Sequence, residues 1–157
     1  MKDMIARHLD GAFHRHLKGL DSGCGAGGAL AYLTDQFPDL HIIGFYRERM
    51  AVFYSHQRDQ TPIFQGSVNA MPFQPSPFDF IFSLDVIYIQ SVDDRKMVRE
   101  AFQALCDGGL LFINVPAFEC LHGEHDESVR TRHRFTRGVI EIFSSSAVAA
   151  HPSHWRH

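Results

Sequence analysis

The chain has little of what would place it outside the cell, in a membrane or on nucleic acid. It carries 3 cysteines in 157 residues, Cys24, Cys106 and Cys120, and no C-x-x-C pair. Any disulfide pairing would leave an odd thiol, which excludes a disulfide scaffold and points to a reducing, cytoplasmic setting. No apolar run reaches the roughly 20 residues that a membrane-spanning helix needs. The first ten residues mix charges of both signs and lack the apolar block of a secretion signal. A net charge of −3, from 15 basic and 18 acidic side chains, supplies no broad cationic field for nucleic acid or anionic lipid. The 11 histidines are scattered. Away from the two ends, only His122 and His125 stand at close helical spacing, with no cysteine or third ligand beside them, so no metal site is expected.

What the chain does have is apolar content and glycine in one telling place. Hydrophobic residues make up 45% of a length suited to one domain, enough to bury a real core. Leu20 to Gly28 reads L-D-S-G-C-G-A-G-G, lying between a short apolar run and the helical pattern Ala29, Leu30, Leu33, Phe37. A strand that turns sharply on glycines into a helix brings close-approaching backbone, free N–H groups and a positive dipole end to one place. That is a cradle for a nucleotide cofactor. Two patterns fit it. Gly23, Gly25 and Gly28 satisfy the dinucleotide form G-x-G-x-x-G, weak on its own. Asp21, Gly23, Gly25 and Gly27 satisfy acid-x-G-x-G-x-G equally well.

The rest of the chain alternates strand and helix. An amphipathic helix is expected through Met4, Ile5, Leu9, Phe13 and Leu17, then a short strand at Lys18 to Asp21. A helix over Ala29 to Phe37 is stopped with the help of Pro38, and a buried strand from Leu40 ends at Tyr46. Further helices are expected over Met50 to Arg58 and over Val92 to Leu105, the second introduced by Ser91 with Asp93 and Asp94 in its first turn. Strands are expected over Pro62 to Gln65, through Phe78 to Val86, and over Leu110 to Val115 after the stop at Asp107-Gly108-Gly109. Five such units predict a parallel, doubly wound sheet.

Several of these stretches resemble class I S-adenosylmethionine-dependent methyltransferases. L-D-S-G-C-G-A-G-G is similar to that family's first motif. Gly66 to Phe73 (G-S-V-N-A-M-P-F) resembles G-D-A-x-x-L-P-F, and Phe78 to Val86 (F-D-F-I-F-S-L-D-V) resembles F-D-x-I-x-S-x-D-V. From Val115, the run V-P-A-F, then H-D, then H-R-F-T resembles one subgroup of the family. The resemblance covers about Leu20 to Arg137. It implies a Rossmann-like, doubly wound, mostly parallel sheet of about five strands with helices on both faces, lacking the family's last two strands. A methyltransferase-like domain over 1–143 is expected, with an irregular or disordered tail over 144–157 containing the lone Trp155.

By that resemblance S-adenosylmethionine is the cofactor, and Asp21, Gly23, Cys24, Gly25, Gly27, Tyr46, Ser67, Val68, Ser83 and Asp85 are its candidate contacts. Two of these depart from the pattern. Tyr46 stands where the family has an acid for the ribose hydroxyls, with Glu48 two residues on, and Ser67 stands where it has an acid for the adenine amino group. Tyr46 and Tyr88 could meet a cationic cofactor through their rings. His122, His125, Asp126, His133 and Arg134 are candidates for substrate contact, with His125 and Asp126 for proton removal. Arg130 to Arg134 reads equally as a solvated basic helix start.

The function implied is methyl transfer to an acceptor, a small molecule in preference to nucleic acid or protein. The alternative is a non-catalytic, truncated or decayed member of the fold that binds or associates, as a homo-oligomer through an exposed sheet edge. A nicotinamide-dependent reductase has the glycines but lacks a Tyr-x-x-x-Lys signature.

Overall fold

The computed structural model describes residues 17–59, 62–73, 75, 77–116, 131, 132 and 135. In chain order these form β1 (Lys18–Ser22), α1 (Gly28–Gln36), β2 (His41–Tyr46), α2 (Arg49–Asp59), β3 (Ile63–Gln65), β4 (Phe78–Leu84), α3 (Asp94–Ala104) and β5 (Leu105–Asn114). The strands lie in the order β3-β2-β1-β4-β5, and every neighbouring pair is parallel. The chain builds outward from β1 to β3, then returns to the other side of β1 to lay down β4 and β5.

Side-chain alternation along these strands divides the core into two layers. Phe80 and Phe82 of β4 point to one face, where they meet Leu30 and Leu33 of α1, Ile42 and Ile63. Ile81 points to the other and packs with Leu20, Phe45 and the buried stripe Met97, Val98, Ala101 and Phe102 of α3. A central strand covered on both sides has no polar face to spare, which is why β4 reads F-D-F-I-F-S-L. Burial of each large side chain contributes about 1.5–3 kcal/mol.

Element bounds follow expectation closely, with two informative shifts. Helix α3 starts two residues later than Val92. Its cap is Asp93, whose carboxylate accepts the Lys96 amide at 3.0 Å, not Ser91. A charged acceptor makes the stronger cap bond, and the Ser91 hydroxyl is occupied elsewhere, as described below. Strand β5 starts at Leu105, directly after α3, and runs through Asp107-Gly108-Gly109. Those residues form an irregularity against β4, where the register jumps from Phe78↔Leu105 to Phe80↔Leu110 and Gly108 takes φ 77°.

Helix α2 is unusual in composition. Among its described side chains the buried one is Ser55, whose hydroxyl donates to the Val52 carbonyl at 2.7 Å, while Met50, Phe53 and Tyr54 are exposed. Among the described residues no helix is long and apolar enough to cross a membrane. The expected N-terminal helix up to Phe13, the tail from Ser144, and His122, His125, Asp126, His133 and Arg134 lie outside the described residues.

Candidate functional site

The sheet reverses its order of growth between β1 and β4, and the carboxyl ends of these two strands part there. In open α/β sheets a ligand crevice forms at such a point. Here it is a cleft of about 760 Å³, within the range of about 300–1,000 Å³ usual for small-molecule sites.

One wall is the turn from β1 into α1. Gly23 and Gly25 take φ 88° and 55°, the left-handed region that disfavours any residue with a Cβ. The Gly23 and Cys24 amides both donate to the Phe45 carbonyl at 3.1 Å, which pins the turn to the end of β2. A Cβ on Gly23 would lie 2.6 Å from a methyl of Val86, so the segment that follows β4 packs directly on the turn. A Cβ on Gly25 would meet nothing within 4 Å. Gly25 therefore lines the cleft with bare backbone, and α1 begins three residues later with first-turn amides that have no intrahelical acceptor.

The other walls come from the ends of β2 (Tyr46, Arg47, Glu48), β3 (Gly66 to Asn69) and β4 (Leu84 to Val86), and from Ile89 to Val92 before α3. Of the residues expected to touch a cofactor, Gly23, Cys24, Gly25, Tyr46, Ser67, Val68 and Asp85 meet in this cleft. Asp21, Gly27 and Ser83 do not line it. Gly27 is buried against Ile63. Ser83 is fully buried, and its hydroxyl donates to the Ser22 carbonyl at 2.9 Å, binding β4 to β1 just behind the turn. The neighbouring Ser22 hydroxyl is buried with no hydrogen-bond partner among the described residues. Tyr88 packs against the α3-side core.

Asp21 also lies behind the turn, with 3% of its surface exposed. Burial disfavours its charged form and pushes its pKa up to about 7. The Cys24 thiol is pushed up to about 12, first by burial and then by the Asp21 charge, so it is no nucleophile at neutral pH. Asp85 differs from both: it is exposed, directly follows β4, and takes φ 59°, a conformation that Asp tolerates better than most residues. The Asn114 side chain at the end of β5 donates to its carboxylate at 3.1 Å.

A polar linkage across the cleft mouth escapes a reading by motif. The Arg47 guanidinium donates to the Ser91 hydroxyl at 2.7 Å and, through Nε, to Glu48 at 3.0 Å. The Asn69 side chain donates to the Ser91 carbonyl at 3.1 Å and accepts the Asp93 amide at 2.9 Å. Ser91 is thus held by Arg47 and Asn69, which releases the cap position to Asp93. The only sequence signal for this linkage was position, after β2, after β3 or between β4 and α3. Behind this wall, Thr131 bridges Ile89 in antiparallel fashion, and Arg132 pairs with Asp94 at 2.7 Å. Within the run at 130–134, Thr131 and Arg132 are therefore tied to the segment between β4 and α3 and to the start of α3. Among the described residues no cluster of His, Cys, Asp and Glu could hold a metal ion.

These features define a domain of the doubly wound, parallel α/β class with a cleft at its switch point. The chain belongs to the methyltransferase-domain family, whose pattern matches residues 20–113. No curated protein sequence matches it. Among solved structures, a protein from Galdieria sulphuraria assigned as a sarcosine dimethylglycine methyltransferase is 21% identical, covers 92% of this chain and has a TM-score of 0.74. The (4+2)-cyclase SpnF is 17% identical over 92% of the chain with a TM-score of 0.73. Phosphoethanolamine N-methyltransferase 2 of Haemonchus contortus, solved with S-adenosyl-L-methionine, is 21% identical over 83% with a TM-score of 0.67. The chain spans 59%, 54% and 32% of the lengths of these three proteins, respectively.

Proposed function

We propose that this domain binds S-adenosylmethionine in the cleft and directs its methyl group to a small-molecule acceptor. The observation that carries this reading is Gly25, a left-handed glycine that faces the cleft with open space where a side chain would stand, within a methyltransferase-family domain. The cleft has room for a small cofactor, and its donor groups suit one. The Gly25 amide and the first-turn amides of α1 favour the carboxylate of the methionine portion. Ser67 and Val68 suit the adenine edge, and Tyr46 the ribose hydroxyls. Asp85 places a carboxylate on the β4 wall, where a cationic centre is favoured. Asp21, Gly27 and Ser83 serve from behind by fixing the turn.

When bound, the cofactor supplies an electrophilic methyl on a sulfonium. The protein's contribution is to hold an acceptor nucleophile in line with it. His125 and Asp126, outside the described residues, are proposed to take the acceptor's proton. Cytoplasmic location belongs to the same reading.

Calorimetry with S-adenosylmethionine and S-adenosylhomocysteine tests it. Binding is expected to be weak, because Tyr46 and Ser67 are uncharged at positions where the family has acids. Tyr46→Asp restores a charge-assisted contact of about 1.5–3 kcal/mol and is expected to tighten binding about ten- to a hundredfold. No heat at millimolar cofactor would refute the proposal.

Those same two residues favour a second reading, a non-catalytic binding or association module, with the edge of β5 as its contact. SpnF shares the fold and is named a cyclase, and fold alone does not fix chemistry. Transfer of a labelled methyl group by a monomer would exclude this second reading. Cofactor binding without transfer, in a dimer, would favour it.

A further inference from the structure

We propose that Arg47 makes the ribose corner of this cleft a site for an adenosine nucleotide phosphorylated on its ribose. In doubly wound folds an acid at the end of the second strand takes the ribose hydroxyls, whereas an arginine nearby accommodates a ribose phosphate. Here β2 ends on a phenol, Tyr46, and the next residue is Arg47; both line the cleft. The guanidinium is held by Ser91 at 2.7 Å and Glu48 at 3.0 Å. These contacts leave further N–H donors in the plane that matches a phosphate. Tyr46, Ser67 and Ser91, which carry hydroxyl groups, line the same cleft, from the end of β2, the segment after β3 and the segment before α3.

Glu48 opposes an anion, but weakly. Arg47 and Glu48 each keep 59% of their side-chain surface exposed. An ion pair so exposed contributes little, and a dianionic phosphate on the same guanidinium can displace it. Asp85 stands on the β4 wall and pairs with Asn114. The inference shares only the seat of the adenosine with the methyltransferase reading, and its ligand carries no sulfonium.

The test is calorimetry on the full chain with adenosine 2′,5′-bisphosphate, adenosine 3′,5′-bisphosphate and adenosine 5′-monophosphate, with S-adenosylhomocysteine in parallel. One bisphosphate is expected to bind at least about tenfold tighter than the monophosphate, the size of one charge-assisted contact. The isomer that does so identifies the ribose position read. Arg47→Ala should erase that advantage, Arg47→Lys should keep part of it, and Glu48→Gln should enlarge it. Equal affinities for the three nucleotides, or an advantage that survives Arg47→Ala in a variant with unchanged circular dichroism, would overturn the inference. Binding of S-adenosylhomocysteine without a bisphosphate preference defeats this proposal alone. The preference without S-adenosylhomocysteine binding defeats the methyltransferase reading alone.

Discussion

A buried carboxyl group such as Asp21 makes folding sensitive to pH in a direction opposite to that of a salt-bridged acid. Its pKa is pushed up to about 7 by burial, from 3.8 in the unfolded chain. Between those values the folded protein holds a proton that the unfolded chain has released. Stability therefore falls as pH rises from about 4 to about 7, and levels off above that. The full effect is on the order of 4 kcal/mol. Urea unfolding of Asp21→Asn should show a stability that no longer declines across this window, and greater stability than the parent at pH 8. An unaltered pH dependence would mean that another group sets it. At this scale the sequence was a partial guide. It marked Asp21 as a cofactor contact, but a carboxylate at the inner end of a strand between two packed neighbours is sealed behind the turn. It also left Arg47 unread, because attention to a missing acid at Tyr46 says nothing about where the following side chain reaches.

Among elements, the turn between β1 and α1 carries the most consequence. Gly25→Ala keeps a left-handed residue where nothing crowds the new methyl, so its cost to folding should be about 1–2 kcal/mol. That is a fall of roughly 2–8 °C in Tm for a chain of this size. The methyl would occupy the space a ligand needs. Cofactor binding should therefore fall far more than stability does, and calorimetry beside thermal unfolding separates the two. Element positions were legible wherever apolar periodicity was strong, as in α3 and β4. Ends were legible only where the cap had a single candidate. At α3, Ser91 and Asp93 both qualify by residue type, and a contact with Arg47, 44 residues away in sequence, decides between them. At β5, the glycines suggested a stop, yet strand pairing with β4 resumes on both sides of them.

For the whole molecule, the order β3-β2-β1-β4-β5 follows from the alternation of strands and helices visible in the sequence, because right-handed crossovers leave few other arrangements. The same order places the cleft. The glycine wall was legible because its chemistry is local. The wall formed by Ile89 to Val92, with Thr131 and Arg132 behind it, was not, since it depends on segments far apart in sequence meeting across the sheet. The central claim is that an adenosyl cofactor rests against the backbone of the glycine turn in that cleft. An amide NMR titration with S-adenosylhomocysteine tests it most directly. Saturable shifts are expected at Gly23, Cys24, Gly25, Tyr46, Ser67 and Val68, while the buried amides of α3 from Met97 to Phe102 stay in place. Shifts confined to other surfaces, or none at millimolar ligand, would contradict the account.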